Sequence, residues 1–171
     1  PAIEACTRLR EQGISAEQVT RIELEVHPLV LELTGKKEPA DGLSAKFSVY
    51  HACAAGLVFG RAGEAEFADA VVARPDLVAL LRKGVARADA RIAEDAVELR
   101  ATLADGRVVA VSIDHAVGSL LRPMSDAALD AKCHDLMDPI LGAARATEVI
   151  ATARVAATLN DLHELVSLTR P

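Results

Sequence analysis

The chain has 171 residues, a formal net charge of −6, 51% hydrophobic residues and 26% charged residues, a composition that excludes a disordered chain. The length fits one ordinary domain with a core of its own. The acidic balance and an aromatic content of 2% argue against nucleic-acid binding, which normally needs a basic stripe or stacking aromatic side chains.

Nothing in the sequence indicates a membrane span, a secretion signal or a metal site. Every apolar run is too short to cross a bilayer, and no signal-peptide pattern opens the chain. The cysteines Cys6, Cys53 and Cys133 are far apart and include no C-x-x-C pair, and none of the five histidines stands four residues from another. We therefore expect a cytoplasmic protein with buried, reduced thiols and no cofactor metal.

The first part of the chain alternates between helix and strand. Residues 2–12 predict a helix that Gly13 closes, since glycine readily takes the left-handed conformation that ends helices. In Val19–Val26, apolar and charged residues alternate with a period of two, which predicts a strand with one solvent-exposed face. Pro28 ends or bends that strand, and residues 29–33 fit either a short strand or a helical turn.

A long apolar segment dominates the middle of the chain. Residues 45–59 predict a helix with Ser44 as its N-cap, and from Val49 onward the segment is apolar nearly all round, as in buried helices. Two further helices are predicted over residues 65–72 and 75–83. The residues expected to be buried on the long helix are Val49, Ala52, Cys53, Ala55, Gly56 and Phe59.

Strands return after this helical part. Residues 85–91 fit a strand, and residues 96–103 and Val108–Ile113 form the clearest pair, joined by an Asp105-Gly106 hairpin signal. Because strands and helices mix without regular alternation, we predict an α+β fold. It would be a two-layer domain with a mostly antiparallel sheet covered by helices.

The last part of the chain is predicted to be helical. Ser125 caps a helix over residues 126–137, and Asp138-Pro139 is expected to break it. An Ala-rich helical segment follows over residues 140–155.

The most suggestive segment for chemistry is the predicted start of the long helix, residues 44–53. A helix N-terminus presents free N–H groups and partial positive charge, which attract carboxylates and phosphates. Lys46 and Ser48 would add donors in the first turn, with Tyr50 and His51 following within one further turn. The alternative is a solvated Lys46, with Tyr50 and His51 at the edge of the core and bonded to the backbone.

Residues 42–57, G-L-S-A-K-F-S-V-Y-H-A-C-A-A-G-L, resemble the MmgE/PrpD family. Further pieces resemble the family in the correct order, among them V-x-x-I-x-x-x-V-H-P, G-x-x-x-x-x-x-F, L-x-D-G-R and R-P-M-S-D-A-A-L-D-A-K. These pieces lie within residues 19–33, 60–85, 103–107 and 118–132. The resemblance covers residues 1–137 as the family's C-terminal domain and leaves residues 138–171 as an Ala-rich helical extension.

The resemblance implies an enzyme made of two domains. Family members include 2-methylcitrate dehydratase, cis-aconitate decarboxylase and an iminodisuccinate epimerase, which work without metal or organic cofactor and usually as homodimers. Each has a large helical N-terminal domain and a smaller α+β C-terminal domain, with the active site between them. The chain resembles the second domain, so the family's K-x-x-x-x-H segment, with its catalytic Lys and His, would lie upstream of Pro1.

These implications predict the C-terminal domain of a cofactor-independent lyase or isomerase, catalytically incomplete alone, that acts next to a carboxylate on a small di- or tricarboxylic acid. His51, where several members carry Tyr, is expected to be catalytic, and Lys46, Ser48 and Tyr50 are expected to bind substrate. The alternatives are a stand-alone binding or assembly module without catalysis and a ligand-binding regulatory domain. An upstream helical domain in the gene product favours the enzyme, whereas a start codon directly before Pro1 favours the module.

Overall fold

Four strands form one sheet within residues 1–170, the part of the chain that the structure, a computed structural model, describes. They are β1 (Val19–Val26), β2 (Gly84–Ala88), β3 (Val97–Leu103) and β4 (Val108–Ile113), in the order β2-β1-β3-β4. β3 pairs antiparallel with both β1 and β4, whereas β1 and β2 run parallel. The predicted mostly antiparallel sheet is confirmed.

Alternating side chains give the sheet one apolar face and one charged face. The buried side chains of β3 are Val97, Leu99, Ala101 and Leu103. On the other face, Glu23 of β1 stands opposite Arg100 of β3. Because successive side chains of a strand point to opposite faces, the apolar set can pack against a single layer of helices.

Helices cover the apolar face and complete a two-layer α+β fold, as predicted. α1 (Ala2–Glu11) and α4 (Val49–Phe59) pack on each other, and α1 also contacts β3 and β4. The remaining elements of this part are α2 (Pro28–Thr34), α3 (Gly42–Ala45), a 3-10 turn (Ala65–Phe67), α5 (Asp69–Val72) and α6 (Pro75–Leu81). Cys6 and Cys53 are free and buried, whereas Cys133 is half-buried.

The buried helix α4 begins at Val49, so the predicted start at residue 45 is wrong. Ser48 is its N-cap, and the Ser48 hydroxyl accepts the His51 N–H at 3.1 Å. Ser48 also pairs with Gly35 in an antiparallel bridge. This pairing holds Ser48 extended and interrupts the helical path just before Val49.

Ser44, the predicted N-cap, belongs instead to the short helix α3. Asp41 caps that helix by accepting the Ser44 N–H at 2.7 Å, and the Ser44 hydroxyl accepts the Asp41 N–H at 3.2 Å. This reciprocal capping box satisfies two backbone donors at once, which favours a helix start after Asp41. Lys46 consequently lies between two helices and not in the first turn of α4.

The helix α4 packs closely on α1 at Gly56. A Cβ atom at this position would lie 2.6 Å from the Ile3 carbonyl oxygen and 3.2 Å from Cys6 Cβ. Among the residues expected to be buried, Ala52 and Phe59 are half-buried, and the buried ones are Val49, Cys53, Ala55 and Gly56. Glycine is therefore required at position 56 by close contact between two helix backbones.

The structure decides one open alternative and corrects two other predicted elements. Residues 29–33, left open between strand and helix, lie in α2. The helix predicted over residues 65–72 is wrong at its centre, because Ala68 is extended and separates the 3-10 turn from α5. The strand predicted over residues 85–91 spans Gly84–Ala88.

The chain divides into two compact units, with the boundary between Arg122 and Pro123. In the second unit, α7 (Asp126–Leu141) packs on α8 (Ala143–Arg154), and a 3-10 turn and α9 (His163–Leu168) follow. None of the helices described in either unit is long and apolar enough to cross a membrane.

The predicted break at Asp138-Pro139 is wrong, because α7 runs through Pro139 to Leu141, with Gly142 as its C-cap. A proline in the last turn removes one backbone hydrogen bond from a helix that is about to end, so its cost there is small. Gly142 makes the actual turn, with a φ of +79° that favours glycine.

Candidate functional site

An apolar cavity of about 350 Å³ opens beside the start of α4. Its walls come from the first residues of α1, from α2, from Val49 and Ala52 of α4, from Phe67 and from the adjoining ends of β1 and β3. The polar side chains that line it are Thr34, Lys46, Ser48 and Glu94. An apolar pocket with a few polar groups is typical of small-molecule sites. Among the described residues, no three His, Cys, Asp or Glu side chains are grouped to hold a metal ion.

Two of the predicted site residues, Lys46 and Ser48, line this cavity. Lys46 Nζ lies 3.1 and 3.2 Å from the two carboxylate oxygens of Glu64. Both side chains are exposed, so this ion pair contributes little stability and a ligand carboxylate can replace Glu64. Ser48 is buried, and a hydroxyl that accepts the His51 N–H retains a hydrogen to donate.

His51 is fully buried and does not line the cavity. Its Nε2 lies 2.9 Å from the Glu66 carbonyl oxygen. Because a carbonyl oxygen only accepts hydrogen bonds, Nε2 is the donor, and in a neutral imidazole Nδ1 then carries the lone pair. Within residues 1–170, Nδ1 is buried and has no hydrogen-bond partner. A buried acceptor without a partner is costly, which marks this nitrogen as unusual.

Phe67 connects His51 with the cavity. The Phe67 and His51 ring centroids are 5.1 Å apart, with the ring planes tilted by 58°. Phe67 is half-buried and lines the cavity, whereas His51 is sealed. Phe67 therefore forms part of the wall that covers the histidine.

The buried carboxylate of Glu66 holds the turn that carries Phe67. It accepts the Arg61 Nε–H at 2.9 Å and the Gly63 N–H at 2.8 Å. These two partners offset the cost of burying a carboxylate, which is 7% exposed. His51 binds the same turn through the Glu66 carbonyl, so the turn is fixed from both sides.

Tyr50 is buried and, like His51, does not line the cavity. Its ring packs against β2, where a Cβ atom on Gly84 would lie 3.0 Å from Tyr50 Cδ1. Burial raises the pKa of the Tyr50 hydroxyl. Lys37 Nζ lies 5.9 Å from the ring centroid, within the range of a cation–π contact.

The structure thus brings two of the four predicted site residues to one cavity. Lys46 and Ser48 line it, His51 lies behind Phe67, and Tyr50 packs against β2. The roles of all four in binding or catalysis stay predictions.

Sequence reasoning missed the contributions of Glu66, Phe67 and Glu94. Phe67 closes the G-x-x-x-x-x-x-F piece that resembles the family, and this was the available signal for it. Glu66 stands in a stretch of alternating small and charged residues, which gives no sign that its carboxylate is buried.

The sheet, its helices and the cavity define a two-layer α+β domain. A family model described as the MmgE/PrpD C-terminal domain matches residues 1–157. The chain therefore belongs to the MmgE/PrpD family, as its motifs predicted, and the matched part is the C-terminal domain of that family. A comparison with curated proteins finds no match.

The match extends past residue 137, while the compact units divide after Arg122. The predicted division into residues 1–137 and an extension over residues 138–171 coincides with neither limit and stays a prediction.

Proposed function

We propose that this chain is the C-terminal domain of a cofactor-independent MmgE/PrpD-type lyase or isomerase that acts next to a carboxylate of a small di- or tricarboxylic acid. Family membership supports this class of protein. The observation that carries the chemistry is the buried Nδ1 of His51, which has no partner in the described part of the chain. The His51 ring packs against Phe67, which lines the same cavity as Lys46 and Ser48.

In the proposed reaction, His51 is the base. Removing a proton next to a carboxylate builds enolate-like negative charge, which fixed donors stabilise. Nδ1 of the neutral ring accepts that proton, while the Nε2–H bond to Glu66 holds the tautomer and the orientation of the ring. Lys46 and the Ser48 hydroxyl bind the carboxylate, and Lys46 exchanges Glu64 for it. Tyr50 has the weaker claim as a substrate-binding residue because its ring packs against β2.

The charge of the cavity supports the proposal that this domain is incomplete alone. Lys46 is the one lysine or arginine that lines it among the described residues. A di- or tricarboxylate needs more than one cationic partner in an apolar site, because buried charges must be paired. We assign the further cations and a catalytic Lys and His to a helical N-terminal domain, in a cytoplasmic homodimer.

A non-catalytic binding or assembly module with the same fold is the second candidate. The observation that favours it is the complete burial of His51, which keeps the imidazole from any ligand in the present conformation. The two candidates differ in whether the complete protein turns over a carboxylic acid.

The purified 171-residue chain is expected to have no dehydratase, decarboxylase or epimerase activity. Lys46 is the one lysine or arginine that lines the cavity within residues 1–170, and the proposed catalytic Lys and His belong to another domain. The measurement is product formation from citrate-like tricarboxylates and iminodisuccinate by NMR. The positive control is the same chain joined to a family-type helical N-terminal domain. Turnover by the chain alone contradicts the proposed incompleteness, and an inactive joined protein favours the binding module.

A further inference from the structure

The proposed role of His51 leaves open how a sealed nitrogen reaches a ligand. His51 has no exposed surface, and its Nδ1 lies inside the domain without a partner among residues 1–170. His51 belongs to helix α4, and its Nε2 is hydrogen-bonded to the Glu66 carbonyl oxygen. Phe67 contacts the His51 ring, with the ring centroids 5.1 Å apart, and also lines the cavity.

The Phe67 side chain can move more readily than Glu66, whose carbonyl binds His51 Nε2. The Glu66 carboxylate and carbonyl are both tied by hydrogen bonds. The Phe67 side chain is half-buried and makes a tilted ring contact, so a change of its rotamer breaks no hydrogen bond. Side-chain rotamer changes are fast for groups that are not fully enclosed.

We propose that Phe67 is the gate between the cavity and His51, and that rotation of its ring gives a cavity-bound ligand access to Nδ1. Phe67 is then a positioning residue, because it acts through His51 and does not itself exchange a proton. The Glu66 network keeps the backbone of the turn in place while the ring moves. The proposal rests on the proposed function for its biological purpose, but the access of His51 is measurable without any substrate.

The test is the reaction of the folded 171-residue chain with diethyl pyrocarbonate, which modifies an accessible imidazole nitrogen that bears a lone pair. Peptide mass spectrometry gives the rate at each histidine, with the exposed His163 as the internal reference. In the unmodified sequence, we expect His51 to react at least about tenfold more slowly than His163, because a sealed group reacts through local opening. In Phe67→Ala, His51 is expected to approach the rate of His163.

Phe67→Leu is the matched control, since leucine keeps an apolar cover and His51 should stay slow. Circular dichroism checks that each variant is folded, and Phe67→Val replaces Phe67→Ala if the latter unfolds. The proposal is overturned if His51 stays slow in a folded Phe67→Ala or Phe67→Val. It is also overturned if His51 reacts as fast in Phe67→Leu, or in the unmodified chain, as His163 does. The modification rates test whether Phe67 covers His51, whereas the kinetics of His51 variants test whether His51 is the base. Either proposal can therefore fail without the other.

Discussion

Replacing Gly56 with leucine is expected to lower the free energy of unfolding by about 1–3 kcal/mol, the usual cost of overpacking a core. A Cβ atom at position 56 would lie 2.6 Å from the Ile3 carbonyl oxygen, closer than atoms can pack. The group in the way is backbone, so α1 and α4 must separate to admit a side chain. Urea unfolding followed by circular dichroism gives the change in free energy.

Ala52→Leu is the matched control for this prediction. Ala52 lies on the same helix but lines the cavity, so the added carbon atoms have space and the loss of stability should be smaller. Gly56→Ala should also destabilise, although alanine favours a helix by about 1 kcal/mol over glycine. If Gly56→Leu unfolds at the same urea concentration as the original chain, the close contact between α1 and α4 is wrong.

Replacing His51 with alanine in the complete enzyme is expected to lower kcat by about tenfold to a thousandfold, the range for losing a positioned base and the charge stabilisation that accompanies it. The physical reason is the loss of the lone pair on Nδ1, a buried nitrogen that has no hydrogen-bond partner within residues 1–170. Steady-state kinetics on a carboxylic acid that the enzyme turns over gives kcat and KM separately.

A second substitution separates chemistry from structure at this position. His51→Gln keeps an N–H donor for the Glu66 carbonyl but has no base in place of Nδ1, so it should preserve the fold and still lose kcat. His163→Ala removes an exposed histidine and should leave kcat unchanged. Full activity in His51→Gln contradicts the catalytic assignment, whatever happens to the stability of His51→Ala.

The strands could be predicted because their signals are local. Val19–Val26 alternates apolar and charged residues, and the Asp105-Gly106 turn joins two alternating runs. Each of these patterns depends only on residues that are close in sequence, and a period of two is specific to a half-buried strand. The α+β class follows from few such elements, whereas the strand order β2-β1-β3-β4 was not predicted.

The start of α4 could not be predicted because two capping signals compete. Asp41 and Ser44 both precede helical residues, and the sequence does not reveal that Ser48 pairs with Gly35 and restarts the helix. The error at Pro139 has a similar origin, since a proline near a helix end has little effect and Gly142 sets the end.

The candidate site could be predicted only where its residues lie within one local motif. Lys46 and Ser48 stand in the segment that the motif indicated, and they do line the cavity. The burial of His51 depends on Glu66 and Phe67, which are 15 and 16 residues further along the chain and reach it through the fold. No local pattern encodes that contact, so the sequence indicated the residue without its surroundings.

In the proposed function, this domain belongs to an enzyme that moves a proton next to a carboxylate, with His51 as the base. The most direct measurement follows the complete enzyme in deuterium oxide by NMR, with di- and tricarboxylic acids as substrates. The proposal predicts deuterium at the carbon that is reprotonated, in an epimerisation, a decarboxylation or the hydration of an unsaturated acid, at a rate that falls at least about tenfold in His51→Gln. Unchanged incorporation in that variant, or none with any acid in the original enzyme, would contradict it.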